Sequence, residues 1–175
     1  MPYIYYNAVH EAGHVIAALC FRLDVCGVLI KSSNKYAARR EFDPTRTPPI
    51  AVYGMNIAGS LAVDIQNDRE GRNDGNGFGD GTDLESDAVT IERLARYWKG
   101  LGMSDVEIEE FDTQIRSNVS RGLLDHWDTL EAIAKEIAQL RIPSSSVVSA
   151  SQITDIVCGI DPDFYEQVKK HLVTH

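Results

Sequence analysis

His10-Glu11-Ala12-Gly13-His14 lies within the run Asn7-Ala8-Val9-His10-Glu11-Ala12-Gly13-His14-Val15-Ile16-Ala17-Ala18-Leu19-Cys20, and how this run coils governs the reading of the whole chain. Val9, Ala12, Ile16, Leu19 and Cys20 recur at spacings of three and four, which predicts the apolar side of a helix starting after Asn7, a residue suited to capping. Four residues along a helix turn about 400°, so the imidazoles of His10 and His14 stand on one face, about 40° apart, and can share one metal ion. Zinc suits nitrogen ligands. Two histidines and one further protein ligand leave a fourth position open to water, which is the arrangement of a catalytic site. Glu11 is then the natural acceptor for that water's proton. A mid-helix glycine costs about 1 kcal/mol against alanine, so Gly13 marks a close approach by another backbone or a ligand.

Composition narrows the class. The chain has 175 residues, 43% of them hydrophobic, enough for one core, and we read 1–175 as a single domain. No run of 18 apolar residues occurs, and no basic stretch precedes an apolar one at the N-terminus, so neither a membrane span nor a secretory signal is expected and a cytoplasmic location is. Cys20, Cys26 and Cys158 lack metal-site spacing and read as reduced core thiols. A net charge of −9 repels phosphate backbones and argues against nucleic acid, while suiting a pocket that attracts a cation.

The remaining pattern predicts an α+β fold that is mainly helical, with a small β element after the first helix. Val25 to Ile30 and Tyr36 to Phe42 read as a hairpin around Ser32-Ser33-Asn34. Thr47 is placed to cap a helix starting at Pro48, with Ile50, Tyr53, Ile57, Leu61 and Ile65 as its apolar stripe. Residues 71–81, rich in glycine, asparagine and aspartate, read as a flexible loop, and Thr82 with Glu85 as a capping box opening the next helix. Helices are expected over 104–121, 123–141 and 150–157, and Asp161-Pro162 opens the last.

A third metal ligand must come from another helix. Asp83 and Asp87 both stand near the start of the one that follows the glycine-rich loop, four residues apart and on one face. His126 reads as a packing residue, and His171 and His175 as dipole or tail residues. Asp74, Asn76, Asp80, Thr82 and Glu85 approach calcium-loop spacing, but Phe78 occupies a position that needs an oxygen ligand. No phosphate-cradling glycine motif for ATP is present.

At this point the chain resembles the zinc peptidase domain of the FtsH-type AAA proteases. His10 to His14 repeats that family's HEAGH in residue identity, and Val25 to Ile30 resembles the strand that follows it. Ala58-Gly59-Ser60-Leu61-Ala62-Val63-Asp64-Ile65 resembles the family's alanine-glycine-arginine-alanine-alanine-glutamate-glutamate-isoleucine helix. Gly79-Asp80-Gly81-Thr82-Asp83-Leu84 resembles its glycine-rich loop ending in Asp-Leu, and Leu130-Glu131-Ala132-Ile133-Ala134 and Ser149-Ala150-Ser151-Gln152-Ile153 resemble its closing helices. The likeness spans most of residues 4–157. It implies that the loop aspartate, Asp83, is the third zinc ligand; aligning on Leu94-Ala95-Arg96 instead selects Asp87. Val63 replaces an acidic residue, which leaves Asp64 as this helix's carboxylate for supporting the ligands. The family's ATPase module and membrane anchor are missing from the sequence.

The expected function is therefore a zinc-dependent endopeptidase: His10, His14 and Asp83 hold Zn2+, and Glu11 is the catalytic base. Its substrates would be peptides or unfolded proteins, cleaved without ATP by this chain, with a separate unfoldase or adaptor as partner and homo-oligomer formation left open. Val25 to Ile30 would offer a strand edge to an extended substrate. The alternative is a catalytically silent, peptidase-like binding or scaffold module whose metal is structural or absent.

Overall fold

The computed structural model describes residues 2–32, 35–41, 47–72, 84–140 and 147–172, of which 2–4, 30–32, 35–41, 84–88 and 90 are described by their backbone alone. The fold is mainly helical α+β, as expected. Helix α1 (Pro2–Cys20) runs through the middle, flanked by α2 (Pro49–Arg69), α4 (Asp105–Asp125) and α5 (Trp127–Gln139), with a small sheet beside it. Its centrality follows from its composition: Ala8, Val9, Ala12 and Val15 to Leu19 are all buried, so it is apolar almost all round. Fully burying one side chain the size of Ile16 or Leu19 is worth about 1.5–3 kcal/mol relative to leaving it exposed.

Asn7 does not cap this helix. The helix begins at Pro2, where proline's missing N–H costs nothing, and Asn7 lies inside it. Gly13 has the role its cost suggests, because a Cβ there would meet the Ala58 carbonyl oxygen and the Ala62 Cβ at 2.7 Å each. The backbones of α1 and α2 meet at that point. Helix α2 starts at Pro49, and Pro48, which precedes its first turn, makes no side-chain cap. The expected stripe is partly displaced: Ile50 is exposed, while Ala51, Tyr53, Met55, Ile57, Ala58 and Ala62 form the buried face. Small residues predominate there because α1 lies so close.

The hairpin forms from β1 (Asp24–Ser32) and β2 (Lys35–Glu41), antiparallel; Phe42 lies outside the described residues. A third strand, β3 (Val147–Ser149), pairs with β1 at Gly27 to Leu29, giving the order β2-β1-β3. Strand β1 is therefore central along Gly27 to Leu29. The edge expected of Val25 to Ile30 is taken along Gly27 to Leu29 by Val147 to Ser149 of β3. Gly27 makes that pairing fit, with φ of 137° at a bulge, since a Cβ there would strike the Val148 carbonyl oxygen.

Helix α3 (Leu84–Gly100) follows the glycine-rich loop, which lies outside the described residues together with Thr82. Trp98 holds its far end by edge-on contacts with Tyr53 of α2 and Phe111 of α4, with ring centroids 5.1 and 4.8 Å apart. The Tyr53 hydroxyl donates to Asp112, which also receives Arg116 Nε at 3.0 and 2.8 Å. Burial and then the Asp112 hydrogen bond push the Tyr53 phenol up to about 12, so it stays a donor at neutral pH.

The expected helix over 123–141 starts instead at Trp127, because the chain bends at His126 between α4 and α5. His126 stacks on Phe164 at 3.7 Å and meets Asp161 at 2.8 Å, in keeping with a packing role. Ser149 and Gln152 form a capping box for α6 (Ala150–Ile160), and Asp161 caps α7 (Pro162–Val168) through the Phe164 N–H. His171 is not a loose tail residue. It meets Asp24 at 2.9 Å in a 3-10 turn, and Leu172 bridges Val25, tying the end of the described chain to β1. Nor are the cysteines core thiols: none forms a disulfide, Cys20 and Cys158 are exposed and Cys26 is half-buried.

Candidate metal centre

Helix α1 turns His10 and His14 toward α2, with Glu11 beside His10 in the same turn. Glu11 is 4% exposed and His14 3%, while His10 is half-buried. An ionisable pair is rarely buried this deeply in a helix without a structural or chemical reason.

The two imidazoles converge. His14 Nε2 lies 3.0 Å from His10 Nε2, with the ring centroids 4.6 Å apart and the planes at 87°. Nitrogens sharing a tetrahedral ion at about 2.05 Å would stand about 3.3 Å apart. His14 Nδ1 is 2.7 Å from the Met55 carbonyl oxygen, which can only accept, so Nδ1 carries the proton and Nε2 keeps its lone pair toward His10. An outer hydrogen bond of this kind fixes tautomer and ring orientation in histidine metal sites. Donor chemistry, tautomer and separation thus fit two nitrogen ligands for a borderline ion such as Zn2+.

The third ligand is not among these groups. Asp83 falls outside the described residues, and of Asp87 only the backbone, in the first turn of α3, is described. Among the described residues no cluster of three or more histidine, cysteine, aspartate or glutamate side chains could hold a metal. Asp64 does not support the histidines. It is exposed on α2, where partial burial and then the Asp68 carboxylate raise its pKa against the pull of Arg116. The supporting acceptor is instead the Met55 main-chain carbonyl, which no pattern of side chains announces.

The first turn of α1 meets the end of α2 one turn before His10. The Tyr6 hydroxyl donates to Glu70 Oε2 at 2.6 Å, and Arg72 Nη1 donates to the Tyr6 oxygen at 2.9 Å. The Tyr6 hydrogen bond first, then Gln66 and Arg72, lower the Glu70 pKa despite some desolvation. This cluster secures the residues from which the glycine-rich segment departs. No described helix is long and apolar enough to cross a membrane. Comparison of the chain with protein-family models, curated proteins and solved structures finds no match.

Proposed function

We propose that the protein is a zinc-dependent endopeptidase acting on flexible or unfolded polypeptides, of the kind its likeness to the FtsH-type peptidase domain implies. One observation carries the reading: two Nε2 atoms face each other at 3.0 Å, and His14 is fixed in the metal-ready tautomer by the Met55 carbonyl. His10 and His14 would hold the ion, with Asp83 as the third ligand. When bound, zinc supplies Lewis acidity beside a position open to water and substrate. Glu11, three residues before His14 and next to His10, takes the proton of the attacking water and delivers it to the leaving amine. Its carboxylate is sheltered by the helices, so bulk water competes little for the proton. A separate unfoldase or adaptor would present folded substrates, and a cytoplasmic setting suits three cysteines not joined in disulfides.

A second reading has its own support. A separation of 3.0 Å also suits an N–H···N hydrogen bond from His10 to His14, which would make the pair a structural feature of a binding module. Protein purified without chelator decides between them. We expect about one zinc per chain, and cleavage of an unfolded protein without ATP that Glu11→Gln lowers at least about a hundredfold while retaining zinc. Absence of zinc together with absence of cleavage favours the binding module, and equal cleavage by both proteins means a contaminating protease.

A further inference from the structure

The imidazole of His10 lies flat on α2 at Gly59. A Cβ built on Gly59 would have its three nearest neighbours in that one ring, Cε1 and Nε2 at 2.6 Å and Nδ1 at 2.7 Å. Three ring atoms at almost one distance put this carbon over the face of the ring, and all are far inside the usual heavy-atom contact of about 3.5–4.0 Å. The ring occupies the space that any side chain at position 59 would need. One helical turn earlier, the Met55 carbonyl holds His14 Nδ1. In a helix the N–H of residue 59 points at that same carbonyl. A single turn of α2 therefore addresses both imidazoles, one through a hydrogen bond and the other through a missing side chain.

We propose that Gly59 is the positioning residue for His10: by leaving its face bare it lets the ring turn Nε2 toward His14. Close helix packing alone does not account for it. Gly13 is the packing glycine of this crossing, since a Cβ there meets a carbonyl and an alanine. A Cβ on Gly59 meets the proposed ligand itself. The consequence for metal affinity rests on the zinc reading, whereas the ring position does not.

Gly54, on the same helix, provides a matched control, since a Cβ there strikes the Phe21 ring and, at 3.3 Å, Val119 Cγ2, with no imidazole involved. The experiment compares wild type, Gly59→Ala and Gly54→Ala by imidazole 1H–15N NMR without metal, by zinc affinity and by melting temperature. Both variants should melt lower. Only Gly59→Ala should move the His10 ring signals and weaken zinc binding by about 10–100-fold, the usual range for groups that orient a ligand. Unmoved His10 signals in Gly59→Ala, or equal changes in both variants, would overturn the proposal. If wild type binds no zinc, the peptidase reading fails and the imidazole spectra alone decide the role of Gly59. Should Gly59→Ala not fold, His10→Ala with Gly59→Ala should, because the clash is gone; a double variant no more stable than Gly59→Ala would count against the proposal.

Discussion

At the scale of single residues, the two histidines were legible because their relation is local: four positions on one helix suffice to bring two rings together. Glu11 was legible for the same reason. Met55 and Gly59 were not, since they reach His14 and His10 across 41 and 49 positions of sequence, and one acts through its main chain and the other through what it lacks. The open choice between Asp83 and Asp87 also belongs here. If the loop aspartate is the ligand, Asp83→Asn lowers zinc affinity at least about tenfold, because a neutral amide oxygen replaces a first-sphere carboxylate, and Asp87→Asn changes it little. Competition titration against a chromogenic chelator measures both, and the reverse order would assign the site to Asp87.

At the scale of elements, the cap at Asp161 and the hairpin read as expected, whereas Asn7 and Thr47 cap no helix and three-residue β3 was not anticipated. The order of the helices followed from their periodicity, and Asp161-Pro162 opened α7 as read. Helix α1 gained an extra turn and a half at its start because Pro2 needs no N–H partner and Tyr5 and Tyr6 pack into the apolar core. Three-residue β3 carries no periodicity of its own and exists only because β1 offers Gly27 to Leu29. The junction of α5, α6 and α7 yields a pH prediction. Desolvation would raise the Asp161 pKa, but the Phe164 N–H and then His126 outweigh it, so the net shift is downward. A carboxyl depressed in the folded state contributes stability that is present above its unfolded pKa of about 3.9 and is lost as pH falls through its folded value. Asp161→Ala should therefore lower stability by about 1 kcal/mol at pH 7, the usual worth of a helix cap, and by much less near pH 2. Urea unfolding at the two pH values tests this; an equal loss at both would mean that packing, not the carboxylate, matters at this position.

For the whole molecule, nearly all the buried hydrophobic side chains among the described residues join one apolar cluster that includes most of α1, so the proposed ligands sit on a well-supported helix of the fold. Trp98 packs α3 against α2 and α4, which the Tyr53–Asp112–Arg116 network ties together, and so holds the helix that begins immediately after Asp83. Overall helical class was legible from periodicity; the way α2 crosses α1, which sets the separation of the two imidazoles, depends on Gly13, Ala58 and Ala62 meeting at one point and emerges only from the packing. The central claim is that His10 and His14 share a metal ion. Anomalous diffraction at the zinc edge, from crystals of protein purified without chelator, tests it most directly. One peak is expected about 2.0–2.1 Å from both Nε2 atoms, with His14 Nδ1 still on the Met55 carbonyl. No peak between the two rings after zinc is added, with the Nε2 atoms joined by a hydrogen bond, would contradict it.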